Sequence, residues 1–487
     1  MPTKDFDVIV AGGGLIGLVT AAAVAVYSNQ KASILVVDRN SEQDAGKKTI
    51  NGWTCGDAVS KRSIDYVAKH LGIHYGSPEL EYPVKGVLVF SPDHKTSVLF
   101  DGEGYLLNRK ILPQRQIRDA KKLGISFQFN VALDRLLVED GAVTGVVGRH
   151  LTDKSVFKLA AKMIIDATGS ASKLRTSLPI NSKIQREINR DDLEATGRYI
   201  YKFSQDSDDR SYFDPDYCLI HLDQYLAPGG YSWTFPKGKN KVNIGLGVQK
   251  SALARRNQRY GLSDNLQSLI DAYVAQNRII QRCILSDDVD DQGNSEGSWQ
   301  VPVRRQNDCM VTNGYAVIGD SAWMPRPIDA GGIGPALYAS VILGKTVAEA
   351  LEAKDMNEES LWGYNVEYMK TYGYQMASFQ VLRAYLQTIT NSEINYGMKH
   401  FLTQDDIADI TERKHPKFQR TRFLNPMMWL RIMKASKLAS GLRDTAKKSE
   451  TLIQHNLDYP ETPRGFPEWQ KGLMRKMEEA IPPQTMA

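Results

Sequence analysis

The chain has 487 residues, of which 42% are hydrophobic and 24% charged, and its net charge is +5. This length suffices for two or three domains with cores of their own, and the composition excludes disordered, collagen-like and small disulfide-stapled proteins. The four cysteines lie far apart and form no C-x-x-C pair. They therefore predict no metal site and indicate a reducing compartment such as the cytoplasm.

The first apolar stretch, at 8–26, is uncharged and nearly long enough to cross a bilayer. Three glycines interrupt it between a Val/Ile run and an Ala/Val run. Such an interruption is typical of a buried strand, a tight turn and a buried helix rather than of a membrane span.

The turn in this stretch carries a glycine fingerprint. An apolar strand at 7–11 leads into Gly12, Gly14 and Gly17 at G-x-G-x-x-G spacing, and the next apolar run ends at Asp38. The glycines allow a tight turn, a close approach to a pyrophosphate and close helix packing, and Asp38 can accept hydrogen bonds from a ribose. The pattern predicts a dinucleotide site, with FAD or NAD favoured over NADP because an aspartate disfavours a 2′-phosphate.

Two later segments favour FAD over NAD. An apolar run at 161–165 ends in D-A-T-G, and another at 315–318 is followed by Gly319-Asp320 and then by the glycine-rich helix start at 331–334. A nicotinamide enzyme has no need of this second helix start. A flavin does, because a helix N-terminus stabilises the negative charge of the reduced ring.

These motifs resemble the flavoprotein class that includes aromatic hydroxylases, flavin-dependent halogenases and geranylgeranyl reductases. The resemblance implies that Asp320 contacts the ribityl or phosphate part of FAD, and that the backbone of Gly332 and Ile333 lies against the isoalloxazine. It also implies that Arg109, in a Y-x-x-x-R segment, approaches the pyrophosphate. An ordinary surface arginine is the alternative.

An aromatic segment lies between the two flavin segments. Residues 227–236 read A-P-G-G-Y-S-W-T-F-P, and a G-x-G follows at Gly245 and Gly247. Alternation predicts a strand on which three aromatic side chains share one face: Tyr231, Trp233 and Phe235. From periodicity alone, ordinary sheet core is an equally good interpretation.

The sequence of this segment resembles the signature of the geranylgeranyl reductase family, and Cys55-Gly56-Asp57-Ala58 resembles that family's turn beside the flavin. The resemblance spans about 6–351. It implies that reduced FAD saturates isolated double bonds of geranylgeranyl chains, in archaeal members on di-O-geranylgeranylglyceryl lipids of membrane synthesis. It further implies FAD contacts at Cys55, Gly56 and Ala58, and substrate contacts at Tyr231, Trp233, Phe235, Pro236, Gly245 and Gly247.

The proton source is a separate question, because an unactivated alkene that accepts a hydride needs a proton on its other carbon at nearly the same time. Cys55 is the candidate catalytic residue, since the resemblance places it near the ring. The alternatives are a thiol that only packs there, with water or Tyr231 as the donor.

The predicted fold is α/β, or α+β overall. It consists of a discontinuous Rossmann-type FAD domain of the glutathione-reductase and aromatic-hydroxylase class, a β-sheet substrate domain and a helical C-terminal region. The FAD domain is predicted to comprise 1–80, 105–180 and 300–350. The substrate domain is predicted at 81–104 and 181–299, and the helical C-terminal region at 351–487.

The C-terminal region contains a basic segment, 413–448, with eleven basic residues and one acidic residue, a net charge of +10. Its apolar residues suit an interfacial helix on the inner face of an anionic membrane: Phe423, Met427, Met428, Trp429, Ile432, Met433 and Leu438. A solvated helical cap and a docking site for an acidic ferredoxin are the alternatives. A reduced nicotinamide is the other candidate electron donor. Nucleic acid is disfavoured because no groove-reading module accompanies the charge.

Three rival functions stay open at this stage. A monooxygenase or halogenase shares the FAD motifs, although Y-S-W-T-F-P departs from the halogenase pattern W-x-W-x-I-P. A quinone-coupled electron carrier with an iron–sulfur cluster would keep clustered cysteines near the C-terminus, and no cysteine follows Cys309. A non-catalytic lipid carrier on a flavin fold would purify without yellow colour.

Overall fold

The computed structural model describes residues 5–45, 55–202, 210–238, 241–277, 284–285, 296–402 and 433–481. Its strands are β1 (Phe6–Ala11), β2 (Ile34–Val37), β3 (Ala58–Ser60), β4 (Leu80–Phe90), β5 (Ser97–Leu107), β6 (Ser126–Gln128), β7 (Val131–Glu139), β8 (Ala142–His150), β9 (Val156–Asp166), β10 (Leu193–Lys202), β11 (Tyr217–His221), β12 (Ser232–Pro236), β13 (Lys241–Gln249), β14 (Ile284–Leu285), β15 (Glu296–Pro302), β16 (Val311–Thr312) and β17 (Tyr315–Val317).

The helices in the described ranges are α1 (Leu15–Tyr27), α2 (Lys61–Leu71), α3 (Ile111–Lys122), α4 (Lys173–Thr176), α5 (Lys250–Tyr260), α6 (Leu266–Gln276), α7 (Ile333–Ala353), α8 (Glu358–Leu361), α9 (Gly363–Thr371), α10 (Met376–Leu386), α11 (Asn391–His400), α12 (Ser436–Leu457) and α13 (Phe466–Ala480).

In the described part of the chain, eight strands form the first sheet, in which β1 lies between β2 and β9 and is parallel to both. Strands β6 and β17 extend the parallel order on either side. Val8, Ile9 and Val10 are fully buried. Helix α1 packs on this sheet and α7 packs on α1, and central parallel strands buried on both faces are apolar throughout. The stretch at 8–26 is thus a strand, a turn and a helix. None of the described helices is long and apolar enough to span a bilayer.

The second sheet has nine strands among the described residues, in the order β14-β10-β13-β12-β11-β4-β5-β3 with β15 beside β10. Helix α6 covers one face, where Leu269, Ile270 and Tyr273 pack against Leu246 and Val248. The opposite face meets the turn at 55–57 and the loop before α7. This face is called the wall below.

The C-terminal helices pack on one another and on the first sheet. Trp362, Tyr459, Phe466 and Trp469 form one aromatic cluster between α8–α9 and α12–α13. Leu438 is only 2% exposed, so its assignment to an exposed interfacial face is wrong: it faces the helices. Met433 is 63% exposed, and the other apolar residues of that prediction lie outside the described residues.

The predicted fold class, with a Rossmann-type sheet, a second sheet and a helical C-terminal region, is confirmed. The domain bounds stay a prediction. Strand β3 and the end of β5, at 105–107, lie in the second sheet, although the prediction assigned 58–60 and 105–107 to the FAD domain.

Candidate active site

The turn after β1 is built from glycines that pack against backbone. A Cβ at Gly17 would lie 1.9 Å from the carbonyl oxygen of Gly12, and a Cβ at Gly12 would lie 2.5 Å from that of Ala167. Gly12 also has a φ of 103°, which glycine adopts readily. Larger residues do not fit at these two positions. Gly14 differs, because its Cβ would meet nothing within 4 Å.

A groove begins at the N-terminus of α1. Gly14 caps this helix without a side-chain hydrogen bond, so the positive end of the helix dipole is open to an anion. At the end of β2, Asp38 accepts hydrogen bonds from the amides of Gly13 (2.6 Å) and Asn40 (2.7 Å). Burial raises the pKa of Asp38, although both bonds oppose the shift. Among the lining residues are Gly13, Gly14, Asp38, Asn40, Arg109 and Phe129.

Arg109 connects this groove with a second group of predicted residues. Its Nη1 lies 3.8 Å from the Sγ of Cys55. Burial raises the pKa of Asp320 to about 6, while the charge of Arg109 opposes the shift. A Cβ at Gly332 would lie 3.4 Å from the Oδ1 of Asp320, and α7 begins at the next residue, Ile333. The structure therefore brings Cys55, Arg109, Asp320 and Gly332 together.

The predicted aromatic residues lie side by side on the wall. The ring centroids of Tyr231 and Trp233 are 6.1 Å apart, and those of Trp233 and Phe235 are 6.2 Å apart. A Cβ at Gly56 would lie 2.6 Å from the ring of Phe235, so this row of rings ends directly on the 55–57 turn. Ala58 starts β3 after that turn, and Pro236 ends β12.

The two glycines of the G-x-G make room on the neighbouring strand β13. A Cβ at Gly245 would lie 2.4 Å from the indole of Trp233, and a Cβ at Gly247 would lie 3.0 Å from a carboxylate oxygen of Glu194. Gly245 pairs directly with Trp233 across the strands. The strand surface left open by Gly245 and Gly247 is therefore covered by the side chains of Trp233 and Glu194.

Buried polar contacts fasten the wall to the turn. The Nε1 of Trp233 donates to the Oδ1 of Asn243 (3.0 Å), and the Nδ2 of Asn243 donates to the carbonyl oxygen of Cys55 (3.0 Å). Lys237 forms an ion pair with Asp57 at 2.9 Å, and Asp57 is 1% exposed. Burial alone would raise the pKa of Asp57, but the charges of Lys237 and Arg198 hold it below its ordinary value.

Cys55 itself keeps its proton at neutral pH. Burial raises the pKa of its thiol, and the nearby charge of Arg109 offsets only part of that shift. The amide of Asp57 donates to its sulfur at 3.3 Å. The buried site therefore contains a neutral thiol beside a cation.

Tyr231 joins the wall to the loop that precedes α7. Its hydroxyl donates to the carbonyl oxygen of Asp329 at 2.5 Å, and an ion pair between Arg326 and Asp329 braces the same loop. Burial raises the pKa of Tyr231 well above its ordinary value. Since this loop leads to Gly332, these contacts fix the position of Tyr231 on the wall relative to Gly332, a predicted cofactor residue.

Sequence reasoning missed four residues of this site: Asp57, Glu194, Lys237 and Asn243. The alternating glycines at 245 and 247 were an available signal, since a bare strand face has to be covered by something. Which side chains cover it depends on strand pairings that the sequence does not display.

These features fit a bound FAD. The open space at Gly14 and the uncapped α1 suit a diphosphate, Asp38 suits a ribose, and the start of α7 near Asp320 suits a flavin. Two sheets, a dinucleotide groove and a buried aromatic wall at its far end define a flavin-dependent oxidoreductase.

Comparison with known proteins narrows this class. A family profile for the geranylgeranyl reductase catalytic domain matches residues 194–284, and one for an FAD binding domain matches 102–188. Digeranylgeranylglycerophospholipid reductase of Sulfolobus acidocaldarius is 30% identical over 474 residues, 97% of each chain. The protein of that name from Methanothrix thermoacetophila is 25% identical over 415 residues, 84% of this chain and 94% of the relative. The chain belongs to the digeranylgeranylglycerophospholipid reductase family, and its cofactor is FAD.

Solved structures share the fold. A geranylgeranyl bacteriochlorophyll reductase-like protein from Thermoplasma acidophilum has a TM-score of 0.71 at 20% identity, covering 92% of this chain and 99% of that one. The myxobacterial chondrochloren halogenase has a TM-score of 0.62 at 15% identity, covering 86% and 92%. Because reductase-like and halogenase structures both match, the fold alone does not separate the two activities. The sequence relationship does, and it confirms the predicted family, enzyme class and cofactor.

Proposed function

We propose that this enzyme saturates the isolated double bonds of geranylgeranyl chains, carried by di-O-geranylgeranylglyceryl lipids or phospholipids of archaeal membrane synthesis. The observation that carries this proposal is the row of Tyr231, Trp233 and Phe235, which ends on the turn at Cys55. An aromatic wall suits a prenyl tail, because each buried methylene contributes about 0.8 kcal/mol and the tail offers nothing to hydrogen-bond.

The predicted cofactor residues take the following proposed roles. The amides around Gly12, Gly14 and Gly17 hold the diphosphate, and Asp38 holds the adenosine ribose. Arg109 adds a positive charge on the path between the two ends of the groove. Asp320 and the backbone of Gly332 and Ile333 receive the flavin half, with the 55–58 turn beside it. On the wall, the proposed substrate contacts include Pro236, Gly245 and Gly247 beside the aromatic row.

The chain's own part in the chemistry is to exclude water and to hold a proton. Reduced FAD supplies a hydride when bound. The buried wall keeps water away from the reacting carbons, and we propose that the Cys55 thiol donates the proton that the second carbon needs. A neutral thiol fits this role, since it still carries the proton when the hydride arrives.

The test is anaerobic. The purified flavoprotein is reduced with dithionite, mixed with a geranylgeranylated glycerolipid, and followed by flavin absorbance and product mass. We expect reoxidation together with a mass gain of two hydrogens per double bond. Flavin that stays reduced with this lipid, yet reoxidises with oxygen while hydroxylating an aromatic compound, would contradict the proposal and favour a monooxygenase.

The same assay tests Cys55. In C55A, we expect lipid-driven reoxidation to slow on the order of 100-fold, because proton delivery by a positioned group is worth about that much. C55S keeps a hydroxyl and nearly the same volume, so it separates proton loss from packing loss. A C55A variant that reoxidises at the wild-type rate would leave Cys55 as a packing residue.

The partners belong to this proposal as well. The basic segment 413–448, whose first twenty residues lie outside the described ranges, is proposed to hold the enzyme on the inner, cytoplasmic face of an anionic membrane. Salt-sensitive co-sedimentation with anionic vesicles tests this contact. The electron donor is proposed to be a ferredoxin or a reduced nicotinamide, and anaerobic mixing with each distinguishes them.

A further inference from the structure

An exposed aromatic pair lies where helix α5 meets the loop that precedes β12. The side chains of Tyr225 and Tyr260 are 45% and 53% exposed, and their ring centroids are 5.3 Å apart at an angle of 74°. Leu262, which follows two residues after Tyr260, is 38% exposed. Grouped apolar side chains indicate an interaction surface, whereas scattered ones need no explanation.

Arginine side chains pack on both rings of this pair. The guanidinium of Arg256 lies 4.2 Å from the ring centroid of Tyr225, and that of Arg259 lies 5.7 Å from the ring centroid of Tyr260. Arg256 is buried and forms an ion pair with Asp264, so its charge is compensated. The charge of Arg259 is not compensated in this way, and its side chain is exposed.

Positive charge is concentrated along the whole of α5, which contains four basic residues and no acidic one. Three of the four are exposed: Lys250, Arg255 and Arg259. Among the residues that the structure describes, none forms an ion pair with these three. The three cations together with Tyr225, Tyr260 and Leu262 are called the α5 surface below.

Both parts of the α5 surface continue directly from strands of the wall. The loop that carries Tyr225 reaches Tyr231, at the start of β12, six residues later, and six residues span at most about 20 Å. Helix α5 begins at the residue after β13 ends. The loop and the helix also touch, because a Cβ at Gly229 would lie 3.0 Å from the Cβ of Ala252. The α5 surface therefore adjoins the Tyr231 end of the aromatic row, whereas the other end meets the Cys55 turn.

We propose that the α5 surface rests on an anionic lipid surface, so that the Tyr231 end of the row faces the membrane from which the prenyl lipid enters. Tyrosine suits this position because its ring is apolar and its hydroxyl stays in water. Exposed arginine and lysine side chains attract anionic head groups. The basic segment 413–448 adds attraction to the membrane, but the α5 surface sets which side of the enzyme faces the lipid.

The choice of a lipid as the partner rests on the proposed function. An acidic protein would be attracted by the same three cations. A substrate with long prenyl tails, however, has to leave a bilayer before it reaches a buried wall, and the shortest transfer starts where the wall is closest to that bilayer. A lipid surface is therefore the partner that also accounts for the position of the α5 surface beside the row.

The first test reports on contact and not on catalysis. Q258C places a thiol between Arg255 and Arg259 on an exposed part of α5, and the holoprotein is labelled there with a polarity-sensitive dye that absorbs outside the flavin bands. K69C, at an exposed position of the equally long helix α2, is the matched control. Wild type treated in the same way corrects for labelling of native thiols.

The labelled proteins are mixed with vesicles of phosphatidylcholine that contain phosphatidylglycerol. We expect a blue shift for the dye at position 258, reversed by high salt, and no shift for the dye at position 69. A dye at position 258 that stays in water while the protein binds the vesicles would overturn the proposal. So would a dye that responds to an acidic ferredoxin but not to vesicles, because the surface would then be a protein contact.

Charge and aromatic variants test the same surface without a dye. In R255Q/R259Q, we expect vesicle binding to weaken roughly 30-fold at low salt, since two cations near an anionic surface are lost. Y260S should weaken it roughly 5-fold. R62Q/K69Q removes two exposed charges from α2 and should bind as wild type does. Equal losses in the two charge variants would mean that net charge, and not the α5 surface, determines binding. If R255Q/R259Q does not fold, the dye measurement decides.

Activity separates this proposal from the proposed function. The geranylgeranylated glycerolipid is supplied anaerobically to the reduced holoprotein, either within the same vesicles or dispersed in detergent. R255Q/R259Q should react roughly 30-fold more slowly with the vesicle substrate and at the wild-type rate with the detergent substrate. Equal slowing with both would contradict a role in membrane contact. A wild-type enzyme that reduces neither substrate would instead contradict the proposed function, and the dye would still report on the α5 surface.

Discussion

The dinucleotide groove and the aromatic wall both depend on glycines, but for different reasons. At Gly12 and Gly17, the space that a side chain would need is occupied by backbone atoms of the turn itself and of the residues that follow β9. At Gly56 the space is taken by the side chain of Phe235, and at Gly247 by the side chains of Glu194 and Thr196. The glycines of the groove are therefore required by close backbone contacts, whereas those of the wall are required by the side chains that pack against them.

This difference explains how each region holds charge. The groove leaves its helix N-terminus open for a ligand, and Asp38 is satisfied by local amides. The wall instead buries charges that pair across large sequence distances, as Asp57 and Lys237 do over 180 positions. Substitutions in the groove should therefore weaken FAD binding, and substitutions in the wall should change the stability of the fold and the rate of proton transfer.

The largest effect is expected for K237M. Removing Lys237 leaves the fully buried Asp57 without its closest cation, and breaking a buried pair in this way costs about 4 kcal/mol. Chemical denaturation of the holoprotein measures the loss. K85M removes a lysine whose pair with Asp216 is exposed at 3.0 Å, and it should leave the unfolding midpoint unchanged. Equal behaviour of the two variants would mean that the wall does not depend on its buried ion pair.

E194Q should change how stability depends on pH. The folded state raises the pKa of Glu194 from 4.5 to about 7, so the folded state binds this proton more tightly than the unfolded state does. Its contribution is complete below pH 4.5 and is lost as the pH rises through 7. At 1.36 kcal/mol per pKa unit, wild type should lose roughly 3 kcal/mol relative to E194Q between pH 4 and pH 8. Parallel unfolding curves at all pH values would contradict a protonated Glu194.

The smallest of the three effects concerns the groove. G17A places a Cβ against the Gly12 carbonyl, and such overpacking costs about 2 kcal/mol, which equals roughly 30-fold in FAD affinity if the whole cost falls on the FAD-bound state. G14A has open space for its methyl group and should fold with unchanged stability while still binding FAD more weakly. Flavin content and thermal unfolding of the apoproteins distinguish the two variants. A G17A protein that retains FAD at the wild-type level would show that the turn can relax.

The sequence predicts the groove well because its determinants are close together along the chain. The G-x-G-x-x-G spacing and Asp38 define a strand, a turn, a helix and the next strand within one short unit, and the structure contains all four. Alternation likewise places Trp233 and Phe235 on one face of β12, with Tyr231 directly before the strand. Glu194 and Lys237 could not be predicted, because their contacts depend on the pairing of β10 with β13 and on the docking of the sheet against the 55–57 turn. Leu438 was assigned to the wrong face because a mixed basic and apolar segment does not reveal which apolar residues contact other helices.

The order of strands in the first sheet has a consequence for synthesis on the ribosome. β1 pairs with β9 at 161–166, and β9 pairs in turn with β17 at 315–317. The cofactor-binding sheet therefore stays incomplete until about two thirds of the polypeptide has been translated, and unpaired strand edges of this kind are prone to association with other chains. Fragments that stop after the first glycine-rich unit should aggregate rather than fold, and cofactor capture should occur late during translation.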